Sequence, residues 1–307
     1  MTSRSVSIAL LAAVTALSSS LVACKEKEKE KEEKVEEKGE VEPLPEPDPG
    51  PATPRFDLSG PQPPETSTVV FAVDGALSPL ACFDKAKGAL VAGGACAALV
   101  AEGSEVYMED SYGKKSLDKT GAGTKDSLCG DAGGLPTAGL DKGEAYDWAV
   151  WPKSLGTAYS QTHPDTWSDR GARLEEVEQK AVLGAISAIR NVKGGFEPRQ
   201  KASVDIDGDG KDELFISAIL THPSDPDQFL FSGLFMAPGG DLGALVLIDR
   251  AKKGKVDVIR LRGVVDLDGD GTMELWTGLT FDGGSGDRIV QIVDGKPNIL
   301  GKWTCGA

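Results

Sequence analysis

From residue 66 onward the chain alternates short apolar runs with clusters of Gly, Asp and Pro. STVVFAV (67–73), ALVAG (89–93), CAALVAEGSEVYM (96–108) and YDWAVWP (146–152) come first. Runs this short, bounded by turn residues, predict strands. One segment breaks the pattern. In RLEEVEQKAVLGAISAIRN (173–191), Leu174, Val177, Ala181, Val182, Ala185, Ile186 and Ile189 recur at helical spacing. This predicts one helix near 171–191, capped by Ser168 or Asp169 and followed by Gly194 and Gly195. The bland use of such a helix is to pack on a sheet or to separate two lobes.

Beyond residue 200 the pattern repeats. VDIDGDGKDELFISAIL begins at Val204, and VDLDGDGTMELWTGLTF begins at Val265, 61 residues later. The valine, three alternate aspartates, two glycines, the glutamate and the next leucine recur in place. Strand-like runs follow each copy: FLFSGLFMA, ALVLID and VDVIRLRGVV after the first, RIVQIV after the second. A period of this length with several strands per unit predicts blade-like β units.

Each copy contains an acidic loop. Counted from Asp205, carboxylates stand at positions 1, 3, 5 and 9: Asp205, Asp207, Asp209 and Glu213, with Gly210 at 6 and Lys211 at 7. The second loop has Asp266, Asp268, Asp270, Gly271, Thr272 and Glu274 at the same offsets. A hard cation such as Ca²⁺ takes about six to eight oxygens, and alternate residues of a tight loop can aim theirs at one centre. A metal-free turn needs one or two Asp, not four carboxylates at matching offsets in two copies. An EF-hand would require a bidentate Glu at position 12. Ile216 and Thr277 stand there, inside strand-like runs, so these are hairpin loops. Asp212 is out of register and is expected to face solvent.

The pattern D-x-D-G-D-G-x-x-E-L between strands resembles the FG-GAP/VCBS repeats of integrin-type propellers and bacterial surface proteins. The resemblance covers Ser203 to about Leu300. It implies two Ca²⁺ sites, held by the Asp at 1, 3 and 5, the carbonyl at 7 (Lys211 or Thr272) and the acid at 9 (Glu213 or Glu274). It also implies a mainly β fold, propeller-like or an incomplete propeller, since a full propeller needs far more chain.

The N-terminus changes the setting. Residues 1–23 carry Arg4, an apolar run and then small residues, which is a secretory signal peptide. Leu21-Val22-Ala23-Cys24 resembles the lipobox of bacterial lipoproteins, which implies lipidation at Cys24 and a membrane anchor. Lys25 after the Cys points, by that resemblance, to the outer membrane, on its periplasmic or surface face. KEKEKEKEEKVEEKGEVE then alternates charge with almost no apolar residue, and PLPEPDPGPATP and PQPP follow. Such a segment cannot bury enough surface to order itself, so residues 24–65 predict a solvated tether. Residues 66–200 then form an N-terminal β-rich region with the helix, and 201–307 the two repeats.

The formal net charge is −15, which argues against a nucleic-acid partner. Besides Cys24 there are Cys82, Cys96, Cys129 and Cys305. An even number in an exported chain predicts two disulfides. Cys96–Cys129 with Cys82–Cys305 is the favoured pairing, because the second would tie the last strand to the first. No close Cys pair suggests zinc.

Other chemistry is sparse. His163 and His222 each precede Pro in polar loops and read as turns. DGGSGD (282–287) reads as a hairpin tip, with a cation or sugar site as the sharper option. Trp148 and Trp151, beside Tyr146 and Pro152, read as strand core, with a carbohydrate-stacking patch as the alternative. No catalytic constellation is visible. The leading expectation is therefore a non-enzymatic binding or structural module whose partner is an envelope protein or a glycan. The alternative is a hydrolase of an envelope polymer in which the calcium loops only shape the fold.

Overall fold

The computed structural model describes residues 64–306, apart from 111, 127–128, 130–132, 159, 162–171, 191–194, 252–255 and 282. The signal peptide, the Cys24 lipobox, nearly all of the tether, His163, Ser168, Asp169, Gly194 and Asp282 lie outside the described residues.

The chain is mainly β, as its apolar runs predict. Strands β1 (Thr68–Val73), β2 (Leu77–Asp84), β3 (Ala89–Ala92), β4 (Glu105–Glu109), β5 (Lys115–Lys119) and β6 (Trp148–Trp151) form an antiparallel sheet in the order β3-β2-β1-β6-β4-β5. The short helix α1 (Ala138–Asp141) lies between β5 and β6, and α2 (Leu155–Ala158) follows β6. Two residues, β7 (Ser160–Gln161), then precede the long helix α3 (Glu176–Ile189).

The two sequence repeats become two four-strand meanders. The first runs β8 (Glu197–Val204), β9 (Glu213–His222), β10 (Asp225–Ala237) and β11 (Val246–Arg250), each strand paired with the next. The second runs β12 (Val256–Val265), β13 (Glu274–Phe281), β14 (Gly284–Val293) and β15 (Lys296–Gly306), and β7 adds a fifth strand beside β12. Each acidic loop thus connects the first and second strands of its meander. Among the described residues the sheets are these three.

Strand periodicity decides how the sheets stack. Successive side chains point to opposite faces. On β13, Leu275 and Leu279 face the four-stranded sheet, where they meet Phe215, Leu234 and Met236. Trp276, between them, faces the first sheet and joins Val70, Leu80 and Trp148. The five-stranded sheet is therefore the middle layer. The outer face of the four-stranded sheet, through Ile216, Ala218 and Phe235, is covered by Leu174, Val182 and Ile186. The outer face of the first sheet, through Val69, Phe71 and Met108, is covered by Cys96, Val100, Leu135 and Leu140.

The helix is shorter than its stripe predicts. It starts at Glu176, with Glu175 as N-cap in a reciprocal capping box with Glu178. The expected caps, Ser168 and Asp169, stand too early for this start. The buried line is Glu178, Val182 and Ile186, spaced four apart, while Val177 is 60% exposed and Ile189 39%. Glu178 tolerates burial because Lys201 Nζ lies 2.6 Å from its carboxylate and the Glu175 N–H donates to it at 2.8 Å.

The disulfides correct the expected pairing. Cys82 joins Cys96, and Cys129 joins Cys305, with Cα atoms 5.7 and 4.8 Å apart. The reason is local. Gly93–Leu99 forms a 3-10 segment that folds back over the β2 face carrying Cys82. Cys129 instead sits against the last strand, where Trp303 Nε1 donates to its carbonyl at 3.0 Å. The last strand is tied down, but to a loop rather than to the first strands.

Two further readings are settled. Trp148 is buried in the inter-sheet core and Trp151 packs on the opposite face of β6, so they cannot form one stacking patch. Gly283, at φ +79°, stands in the tight turn between β13 and β14, as a hairpin tip requires, while Gly284 to Asp287 continue into β14. Asp287 is buried, 3.0 Å from Arg262 Nη1, and accepts from Trp276 Nε1 at 3.0 Å. A Cβ on Gly286 would fall 2.7 Å from the Trp303 carbonyl oxygen, so this stretch is Gly-rich because β15 approaches closely.

Candidate cation-binding loops

Both acidic loops pass from strand to strand, β8 to β9 and β12 to β13, which agrees with hairpin loops and not with EF-hands. In each, three carboxylates converge. Ligand atoms of Asp205, Asp207 and Asp209 lie within 4.8 Å of one another, and so do those of Asp266, Asp268 and Asp270.

The backbone explains how three like charges come so close. Asp205 accepts from the N–H groups of Gly208 (2.8 Å) and Gly210 (2.9 Å), Asp207 from Asp209 (3.1 Å), and Asp209 from Lys211 (2.7 Å). The second loop repeats the network: Asp266 with Gly269 (2.7 Å) and Gly271 (3.0 Å), Asp268 with Asp270 (3.3 Å), and Asp270 with Thr272 (2.7 Å). Position 6 takes φ of +83° at Gly210 and +90° at Gly271, a region that side chains with a Cβ rarely adopt. Without glycine there, the loop could not wind tightly enough to present its N–H groups inward.

Position 9 does something the sequence pattern did not reveal. Glu213 accepts from the Ile206 N–H at 2.8 Å and from the Gly239 N–H at 3.0 Å. Glu274 accepts from the Leu267 N–H at 2.9 Å. Each glutamate braces the base of its loop by holding the position-2 backbone. The resemblance assigns it to the metal shell, whereas the three gathered carboxylates are those of the Asp residues. Asp212 is exposed, as expected. Lys211 brings its Nζ to 3.5 Å from Asp209, so one loop carries a local countercharge.

The position-2 residues were also missed. Ile206 and Leu267 are buried, anchoring each loop in an inter-sheet core. Their signal was present as the apolar residue between the first two aspartates, D-I-D and D-L-D. Met273, at position 8, is buried beside Ile206, and its N–H donates to the Ile206 carbonyl at 2.7 Å. Thr68, at the start of β1, donates its hydroxyl to the Leu267 carbonyl at 2.6 Å.

The electrostatics differ between the loops. Burial pushes Glu274 up to about 8, and the charges of Asp268 and Asp266 add to that rise. Burial also raises Asp266 and Asp268. In the first loop burial raises Glu213. The second loop lies between two sheets and carries the heavier cost of unneutralised charge. Its all-oxygen donor set fits a hard cation, and Ca²⁺ better than Mg²⁺, which keeps its waters and a strict octahedron.

Elsewhere the structure offers less. His222 ends β9, and its Nδ1 accepts from the Ser224 N–H at 3.3 Å, a turn contact. Among the described residues, a shallow depression of about 440 Å³ between β3 and β15 is lined by Ala92, Gly93, Ile299, Leu300, Gly301 and Lys302. Comparison with protein-family models, curated proteins and solved structures finds no match to this chain.

Proposed function

We propose that this chain is a lipid-anchored, calcium-binding cell-envelope protein of the FG-GAP/VCBS type that acts as a non-enzymatic binding or structural module. The observation that carries this reading is the duplication. Two loops, at the same place in two meanders, gather the same three carboxylates through the same hydrogen bonds. Each meander stacked face to face with its neighbour is blade-like, so the architecture reads as an incomplete propeller. Ca²⁺ at both loops would neutralise the converging carboxylates and fix the strand pairs that each loop joins. Asp205, Asp207, Asp209, Asp266, Asp268 and Asp270 would supply carboxylates, the Lys211 and Thr272 carbonyls would contribute, and Glu213 and Glu274 would brace. Extracellular modules hold Ca²⁺ at roughly 10⁻⁴ to 10⁻³ M, so the role is structural rather than signalling.

The anchor and tether would place this unit away from a membrane, where the partner is an envelope protein or a glycan. Calorimetric titration with Ca²⁺, and melting with and without chelator, test the metal. Binding is expected, with a lower melting temperature in chelator and a smaller response in Asp207→Ala and Asp268→Ala. No heat of binding together with no chelator effect would end the calcium reading. A pull-down from envelope extract, with and without Ca²⁺, tests the partner.

A further inference from the structure

A continuous set of hydrogen bonds crosses all three sheets at the loop-bearing rim. Thr68 Oγ1 in the first sheet donates to the Leu267 carbonyl. The N–H of the same Leu267 donates to Glu274. Met273, next to Glu274 in the chain, donates its N–H to the Ile206 carbonyl. The Ile206 N–H donates to Glu213, whose other oxygen accepts from Gly239 in the turn after β10. Each of these bonds ends on a loop residue at position 2, 8 or 9, and none involves the gathered aspartates.

The side chains follow the same route. Ile206 and Met273 share one inter-sheet core, while Leu267 sits in the other. Neither loop can lift from the rim alone. Opening the first loop takes the Ile206 carbonyl away from Met273, and opening the second takes the Met273 N–H away from Ile206. In either case a buried polar group loses its partner, which is costly. The second loop is the centre of the set, joined to the first sheet on one side and to the first loop on the other.

We propose that the two acidic loops open and close as one coupled unit, linked by the Met273–Ile206 hydrogen bond, so that they respond to a cation cooperatively. The cation half of this proposal rests on the calcium reading above; the coupling half does not. Coupling of this kind is reciprocal, so loosening either loop must loosen the other by the same factor.

Hydrogen exchange of individual amides in metal-free protein tests the coupling directly. In Glu213→Ala, exchange at Leu267 and Met273 should quicken about tenfold or more, together with Ile206, while Ile289 in β14 stays slow. Should Glu213→Ala destabilise the whole molecule, Asp207→Ala serves as the milder variant with the same readout. Asp268→Ala should in turn quicken Ile206. Quickening confined to the mutated loop would overturn the proposal. In the calcium arm, the wild type should bind with a Hill coefficient above 1, and Asp207→Ala should weaken the remaining site several-fold. Two independent sites with unchanged affinity in Asp207→Ala would refute cooperativity and leave the calcium reading intact. No binding by wild type would refute the calcium reading, with the exchange arm still deciding whether the loops are coupled.

Discussion

Gln200 and Leu261 occupy the same position in successive repeats, 61 residues apart, and the side chain of the first binds the backbone of the second. Gln200 Nε2 donates to the Leu261 carbonyl at 2.8 Å, and the Leu261 N–H donates to Gln200 Oε1 at 2.8 Å. Both residues are fully buried. The amide acts as a backbone mimic, joining the first strands of the two meanders where a sheet hydrogen bond cannot reach. Gln200→Ala would remove two hydrogen bonds from the buried backbone of Leu261. A loss of about 1–3 kcal/mol is expected, given about 0.5–1.5 kcal/mol per hydrogen bond. Urea unfolding of the two proteins measures it, and a loss below about 1 kcal/mol would mean that water replaces the amide freely.

The pH dependence should be unusual for an acidic protein. Burial holds Glu274 at about 8 against an ordinary 4.5, so the folded chain keeps a proton that the unfolded chain has released. Stability from this source is complete below about 4.5 and is lost as pH rises toward 8. Asp266 and Asp268 shift in the same direction. Chelator-treated protein should therefore melt lower at pH 8 than at pH 5, and Glu274→Gln should flatten part of the slope. Saturating Ca²⁺ should flatten it too, because the ion supplies the missing positive charge. A melting temperature that rises over this range in chelator would contradict the assignment.

Peptide mapping without reductant should recover Cys82 joined to Cys96 and Cys129 joined to Cys305. The second bond spans 176 residues and the first 14. Closing the longer loop restricts the unfolded chain more. Cys129→Ser with Cys305→Ser should thus cost more than the matching Cys82 and Cys96 pair, within about 2–5 kcal/mol each. Chemical denaturation of the two double variants gives the order.

Cys24→Ser should release the protein from membranes into soluble fractions. Fractionation of cells expressing each form, followed by immunoblotting, reports the partition. Equal membrane association of both forms would remove the lipid anchor from the account.

Local rules were legible in the sequence, and long-range ones were not. STVVFAV read correctly as a strand because a short apolar run between turn residues is a property of the residues themselves. The 61-residue repeat revealed both acidic loops, and position 12 excluded the EF-hand, because those signals are also local. The disulfide pairing was misread because it depends on a 3-10 segment folding back over β2, which no spacing encodes. The Gly-rich run holding Asp287 read as a turn, which Gly283 makes, but Gly286 and Asp287 lie in β14, where glycine serves the close approach of β15. That Glu213 and Glu274 each accept a backbone N–H from position 2 of their loop was not legible, because charge pattern alone does not show which donors a carboxylate faces.

Helix α3 sets a limit on the repeat. It covers the outer face of the four-stranded sheet through Val182 and Ile186, where a further meander would have to stack. The opposite end of the stack is closed by the 3-10 segment and the residues around Leu135 and Leu140. A tandem duplication of either meander would therefore find no open face to join without evicting a lid. That barrier holds the number of stacked units fixed, whatever happens at the loop-bearing rim.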